Sequence, residues 1–225
     1  MEYIFNGVCL QNGRQSNMDS LLLKRGSINE LPALLAVVCD GVGSLVDGMF
    51  ASATAARMLG EWFSEADSAE RIGLRMRDAV LKINSHILSE SKKNNLRTAS
   101  TLSALLLVEG GYFAVHIGDS RIYCYDSNNL TILTKDDISE TGKLTACIGQ
   151  EENIYLQYYE GTAAGNVFLI CSDGLYKRMD DGFLAASMAS WGRRSLAEPI
   201  DALAQYAIGR GELDNISVAM AKIDG

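Results

Sequence analysis

The chain has 225 residues, of which 48% are hydrophobic and 21% charged, with two prolines and a formal net charge of −8. That balance excludes a disordered or fibrous chain, and the acidic excess excludes the clustered Lys and Arg of a nucleic-acid footprint. No apolar stretch approaches the roughly 18 residues of a membrane span, and the start Met1-Glu2-Tyr3-Ile4-Phe5 lacks the pattern of a signal peptide, so a cytoplasmic location away from membranes is expected.

In chain order, residues 3–10 read as a strand, 11–17 as a polar turn, and 20–24 as a short second strand. Residues 34–39 form a continuous apolar run of the kind buried on both faces, and it stops at Asp40-Gly41. The period then changes. Met49, Ala53, Ala56, Leu59, Trp62 and Phe63 predict a helix over 48–63. Ile72, Met76, Ala79, Val80, Ile83 and Ile87 step by three and four and predict a second, ended by Lys92-Lys93-Asn94-Asn95. Strands return at 101–108 and 112–117, joined through Glu109-Gly110-Gly111 as a hairpin. Further strands are expected at 121–125, 130–133, 154–159, 167–171 and 216–223, helices at 183–191 and 195–208, and loop with some helix over 135–152. Strands, two helices, strands, two helices and a last strand make a layered α+β protein, with residues 1–225 expected to form a single domain.

The chemistry concentrates where apolar runs end. Asp40-Gly41, Gly118-Asp119-Ser120, Ser172-Asp173-Gly174 and Asp214-Asn215 all abut such runs, and Asp19 follows the first strand and its turn. Strand ends gather at sheet rims, so these carboxylates could converge. Several carboxylates in a part-buried site repel one another unless cations neutralise them, and oxygen-only ligands suit Mg²⁺ or Mn²⁺. Two such ions about 3.5–4 Å apart would activate a water and clamp a phosphoryl group. Asp-Gly and Asp-Asn are equally common turn residues, and on these grounds alone both readings stand. Zinc is disfavoured because neither His nor Cys stands at zinc spacing. Gly41-Val42-Gly43 after an apolar strand invites a dinucleotide reading, but the third glycine is missing and no second strand with an acidic end follows about twenty residues on.

Taken together, the motifs resemble the metal-dependent serine/threonine protein phosphatases of type 2C, in particular short bacterial-type members. Gly13-Arg14-Gln15-Ser16-Asn17-Met18-Asp19 resembles the family's G-x-R-x-x-N-x-D opening, and Asp40-Gly41-Val42-Gly43-Ser44 its D-G-x-G-G. Thr98-Ala99-Ser100-Thr101 stands where G-S/T-T is expected, and Gly118-Asp119-Ser120-Arg121-Ile122-Tyr123 matches G-D-S-R-x-Y. Leu133-Thr134-Lys135-Asp136-Asp137-Ile138-Ser139 resembles L-T-x-D-H-S, and Leu144-Thr145-Ala146-Cys147-Ile148-Gly149 resembles L-T-x-x-x-G. Ser172-Asp173-Gly174-Leu175 and Asp214-Asn215-Ile216-Ser217 match the two last motifs.

The resemblance implies two antiparallel β-sheets packed as a sandwich flanked by helix pairs (α-β-β-α), and a binuclear Mn²⁺ or Mg²⁺ centre. Asp40 would bridge two ions, with the Gly41 carbonyl on one of them. Asp173 and Asp214 would complete the second, and Asp19 would hold metal-bound water. Asp119 with Asp173 would serve a third, weaker ion. Arg14 would bind the substrate phosphate, a task suited to a planar guanidinium. Attack of a metal-bridging hydroxide on phosphoserine or phosphothreonine would follow, without a covalent intermediate. The implied partners are phosphorylated proteins, targets of a Ser/Thr kinase, and a monomer is expected.

Departures from the pattern have consequences. Met18 replaces a Glu or Gln that orients metal-bound water, Val42 stands where some members carry a His, Ser44 replaces a glycine, and Asp137 replaces the His of L-T-x-D-H-S. Met18 and Ser44 motivate the alternative of a weakly active relative that binds phosphoproteins; the retained aspartates favour the enzyme. Of the remaining residues, His116 is expected in a strand interior or on its surface, His86 solvated, Arg121 bracing the site through an ion pair, and the five cysteines free thiols, none lying in a C-x5-R phosphate loop.

Overall fold

The computed structural model describes residues 2–43, 45, 47–191 and 197–224. Among the described residues, ten strands and five helices occur in the order β1 (Glu2–Leu10), β2 (Asp19–Ile28), β3 (Leu31–Asp40), α1 (Gly48–Glu65), α2 (Ile72–Asn94), β4 (Leu102–Val108), β5 (Gly111–Ile117), β6 (Arg121–Asp126), β7 (Asn129–Ile132), β8 (Gln157–Thr162), β9 (Val167–Cys171), α3 (Asp173–Tyr176), α4 (Asp181–Ser190), α5 (Glu198–Gly209) and β10 (Ile216–Asp224). They build two antiparallel five-stranded sheets, ordered β1-β10-β9-β6-β7 and β2-β3-β4-β5-β8.

The sheets stack face to face, and each carries helices on its outer side, as the resemblance implied. Strand β3 shows why its sequence is apolar without alternation. Leu34, Ala36 and Val38 point into the layer between the sheets with Leu105, Ile122, Phe168 and Ile170. Ala33, Leu35, Val37 and Cys39 point the other way, onto α1 and α2 through Ala55, Leu59, Met76, Val80 and Ile83. A third apolar layer joins β9 and β10 to α4 and α5 through Leu169, Val218, Leu184, Ile200 and Leu203. Fully burying each Val, Leu, Ile, Phe or Met among them is worth about 1.5–3 kcal/mol, so these three layers supply most of the driving force.

Four expectations shift. β2 is longer than the run at 20–24, because it pairs with β3 along its whole length, from Asp19 opposite Asp40 to Ile28 opposite Leu31. Its polar letters hid this: Lys24 reaches from the strand to α1 and places Nζ 2.9 Å from the Gly60 carbonyl. The strand expected at 154–159 lies three residues later, as an edge strand on β5 whose outer end, Glu160–Thr162, is exposed. Residues 135–152 contain no helix; their backbone is satisfied by irregular bonds such as Asp137 N–H to Gly118 O (2.7 Å) and Thr145 N–H to Asp137 O (2.7 Å). The last predicted helix begins at Glu198 with Pro199 in its first turn; positions 195 and 196 lie outside the described residues. The four-residue α3 is too short for periodicity to reveal.

Candidate active site

Antiparallel pairing brings the acidic strand ends to one rim. Asp19 opens β2 directly opposite Asp40, which closes β3. Asp119 lies in the turn from β5 to β6, Asp173 opens α3 immediately after β9, and Asp214 precedes β10. Arg121, Cys171 and Val218 are neighbours across β6, β9 and β10, so the turns beyond them share an edge. Asp40, Gly41, Asp119, Asp173 and Asp214 line a cleft of about 420 Å³, with Arg14 and Met18 on its wall. Asp19 lies behind it, buried.

The surrounding backbone is tightly held. Asp40 N–H donates to Thr101 Oγ1 (3.0 Å), and its carbonyl accepts from Thr101 N–H (2.9 Å) and Ser100 Oγ (3.0 Å). Gly41 admits no side chain: a Cβ there would stand 2.7 Å from backbone atoms of both Gly48 and Met18. The Asn215 side chain ties the rim together, accepting from Met18 N–H (2.9 Å) and donating to the carbonyls of Gln11 (2.8 Å) and Ser16 (3.0 Å). His116 is buried between Ser103 Oγ (2.8 Å) and the Gly118 carbonyl (3.0 Å), where it supports the Asp119 turn; burial lowers its pKa. A carbonyl accepts only, so Nε2 carries the proton and Nδ1 accepts from Ser103. His86 is exposed, and Arg121 braces the site by pairing with Asp136 (2.7 Å), both as expected. All five cysteines are free.

The charges are poorly compensated. Asp40 keeps some solvent contact, yet protein crowds its carboxyl on nearly every side; burial first, then Asp19, Asp173, Asp119 and Asp214, push its pKa well above the ordinary carboxylate value. Burial, with Asp173 and Asp214 adding, raises Asp19 to about 6. Burial and Asp173 raise Asp119 likewise to about 6. Asp19 Oδ2 accepts from Ser172 Oγ (2.8 Å), whereas buried Oδ1 has no partner. Two basic side chains offset part of this. Arg14 holds Asp214 with two parallel bonds, Nε to Oδ1 at 2.8 Å and an Nη to Oδ2 at 2.7 Å. Burial alone would raise the Asp214 pKa, and these bonds outweigh it and lower it. Lys177 pairs with Asp173. With those two carboxylates so engaged, no three His, Cys, Asp or Glu side chains among the described residues close into a cage as they stand. The residues nonetheless fit hard divalent cations: an orphaned buried carboxylate oxygen, raised carboxyl pKa values and an oxygen-only donor set all call for added positive charge.

A pH effect follows. Unfolded Asp titrates near 3.9. The folded-state values of Asp19 and Asp119 are higher, about 6, so between about pH 4 and that value the fold holds protons that the unfolded chain releases. Their contribution to stability is present at low pH and lost as pH rises through 6. The metal-stripped chain is expected to melt a few degrees higher at pH 5.5 than at pH 7.5; with saturating Mn²⁺ in place of those protons the gain should vanish. Melting curves in EDTA and in Mn²⁺ check both.

Sequence reasoning named every aspartate of this rim but missed Lys177, Tyr176 and the bracing role of Asn215. Lys177 had a signal: it stands four residues after Asp173, which a helix places on the same face.

Fold and site define an α-β-β-α sandwich with an acidic, cation-seeking cleft at one end of its paired sheets. The sequence profile of the protein phosphatase 2C family matches residues 11–206, and the chain belongs to that family of hydrolases. It is 28% identical over 213 residues to the serine/threonine phosphatase stp of Listeria welshimeri, covering 84% of each chain. The catalytic domain of the serine/threonine protein phosphatase PstP, crystallised with two manganese ions, superposes with a TM-score of 0.81 at 26% identity, covering 99% of both chains. The crystal structure of Stp1 from Staphylococcus aureus shares the fold, with a TM-score of 0.87 at 20% identity over 100% of this chain and 95% of that one. Among the described residues no helix is long and apolar enough to cross a membrane.

Proposed function

We propose that residues 1–225 form one phosphatase domain that removes phosphate from phosphoserine and phosphothreonine of cytoplasmic proteins, opposing a Ser/Thr kinase. The observation that carries this reading is the convergence of Asp40, Asp119, Asp173 and Asp214 on one cleft with Arg14 on its wall. Family membership and the likeness to a manganese-bound phosphatase domain support it.

Two Mn²⁺ or Mg²⁺ ions held there would supply an acidified water and positive charge for the phosphoryl oxygens. Asp40, at the centre of the carboxylates, would bridge them. The Gly41 carbonyl would serve one ion, and Asp173 with Asp214 the other. Asp19, behind the rim, would orient water through its free oxygen. Arg14 has 58% of its side chain exposed, so its guanidinium can leave Asp214 for the phosphate of an incoming substrate. Met18 offers a thioether to the cleft and no oxygen to water.

Hydrolysis of p-nitrophenyl phosphate and a phosphothreonine peptide, with and without Mn²⁺, tests the proposal. Manganese-dependent turnover is expected. Mn²⁺ uptake without turnover would instead support a phosphoprotein-binding module, and neither would end the metal reading. Arg14→Ala should raise KM for the phosphopeptide about tenfold, the worth of one charge-assisted contact, without weakening Mn²⁺ affinity. Steady-state kinetics and calorimetry measure the two effects; weaker metal binding in that variant would contradict the assignment.

A further inference from the structure

Lys177 directly follows α3 and makes a contact that the carboxylate rim alone does not require. Its backbone N–H reaches the Asp173 carbonyl (3.1 Å), so it sits one turn beyond that residue, and its ammonium pairs with the Asp173 carboxylate. The pair is lopsided: the Asp173 side chain is 13% exposed and that of Lys177 is 53% exposed. A charge at the surface is thus aimed back into the rim.

The backbone just before this lysine is held at several points. The Tyr176 hydroxyl donates to the Asp119 carbonyl (2.9 Å), fastening the helix to the turn that carries Asp119. The Arg121 guanidinium lies over the Tyr176 ring, 3.7 Å from its centre, and Asp136 clamps that guanidinium through Nε (3.0 Å) and an Nη (2.7 Å). Gly174 is pressed against the Asn215 carbonyl. The backbone that carries Lys177 is therefore anchored beside both Asp173 and the Asp119 turn. Its charge acts on both carboxyls, opposing the upward push of burial and Asp173 on Asp119. Arg14 is engaged with Asp214, and Arg121 with Asp136.

We propose that the Lys177 ammonium is a built-in cation for Asp119 and Asp173, standing in for a third divalent ion, so that this chain loads two ions and not three. The inference rests on the binuclear reading above and refines it. A covalently attached charge is present at any metal concentration, and it repels a divalent ion entering between the same two carboxylates. An ammonium offers three donors and no acidified water, so at this position it neutralises charge without supplying a second source of hydroxide.

The test is the stoichiometry of Mn²⁺ binding, read by titration calorimetry and by the free Mn²⁺ electron-spin-resonance signal, with no reference to turnover. Wild type and Lys177→Arg should bind two ions per chain. Lys177→Gln should gain one further, weaker ion, and adding Asp119→Asn to that variant should abolish the gain. Three ions in the wild type, or no gain in Lys177→Gln, would overturn the inference while leaving the binuclear site intact. A wild type that takes up no Mn²⁺ would remove the binuclear reading and this inference with it. Because Lys177 is half exposed and Lys177→Arg keeps the charge, agreement of its melting temperature with that of Lys177→Gln separates charge from any loss of fold.

Discussion

Asp40→Asn is expected to lower Mn²⁺-dependent hydrolysis by on the order of 10³-fold and at the same time to make the metal-free protein more stable. The two effects have one cause. Asp40 sits at the end of β3 with Asp19 directly across the ladder and Asp119, Asp173 and Asp214 acting on it. Its folded-state pKa is raised, so near pH 7 the folded chain either holds a crowded negative charge or takes up a proton, and both cost stability. Asparagine removes the charge at nearly constant shape, and its amide can donate to the neighbouring carboxylates. The backbone contacts of residue 40 with Ser100 and Thr101 do not involve the side chain and survive. A melting temperature in EDTA a few degrees above that of the wild type, alongside lost turnover, is the expected pair of results. Turnover within tenfold of wild type would remove Asp40 from the chemistry, and a lower melting temperature would show that its charge has a structural partner.

Gly174→Ala is expected to have the largest effect on the fold among single methyl additions at the rim. A Cβ at Gly174 would stand 2.1 Å from the Asn215 carbonyl oxygen and 3.1 Å from its carbon. Both are backbone atoms at the entry to β10, so no rotamer change relieves the clash, and α3 must move from β10. A cost of about 3–4 kcal/mol is expected, with a melting temperature lower by about 10 °C. The movement separates Asp173 from Asp214, which flank this contact, so Mn²⁺ affinity should fall in the fraction that remains folded. Thermal melts and Mn²⁺ calorimetry measure the two. A melting temperature within 2 °C of wild type would mean that α3 is not pressed against β10 as described. Gly43, which has open space where a Cβ would go, is the control: Gly43→Ala should leave the melting temperature unchanged.

Much of this protein is legible in its sequence. Helices α1 and α2 were readable because their apolar faces repeat every three to four residues over many turns. The acidic rim was readable because each aspartate abuts an apolar run, and a strand that runs out of apolar residues has reached the edge of its sheet. β2 and β8 were harder: β2 carries Lys24, Arg25 and Gly26 within the strand, and β8 lies at an edge where one side needs no apolar residue.

What the sequence determined by itself was the set of groups: which residues carry negative charge at strand ends, where the apolar layers fall, and that no cysteine or histidine pattern competes with oxygen chemistry. What only the tertiary structure decided was how those charges are shared out. Arg14 and Asp214 are 200 residues apart in sequence and lie in one bidentate pair. Asp19 is left with an unpartnered oxygen, and Lys177 pairs with Asp173 beside the Asp119 turn to which Tyr176 is bonded. The physical reason is that charge compensation depends on distance and burial, which arise from packing two sheets together. Apolar periodicity is a property of each segment and can be read locally; which cation neutralises which carboxylate is settled only once the segments meet.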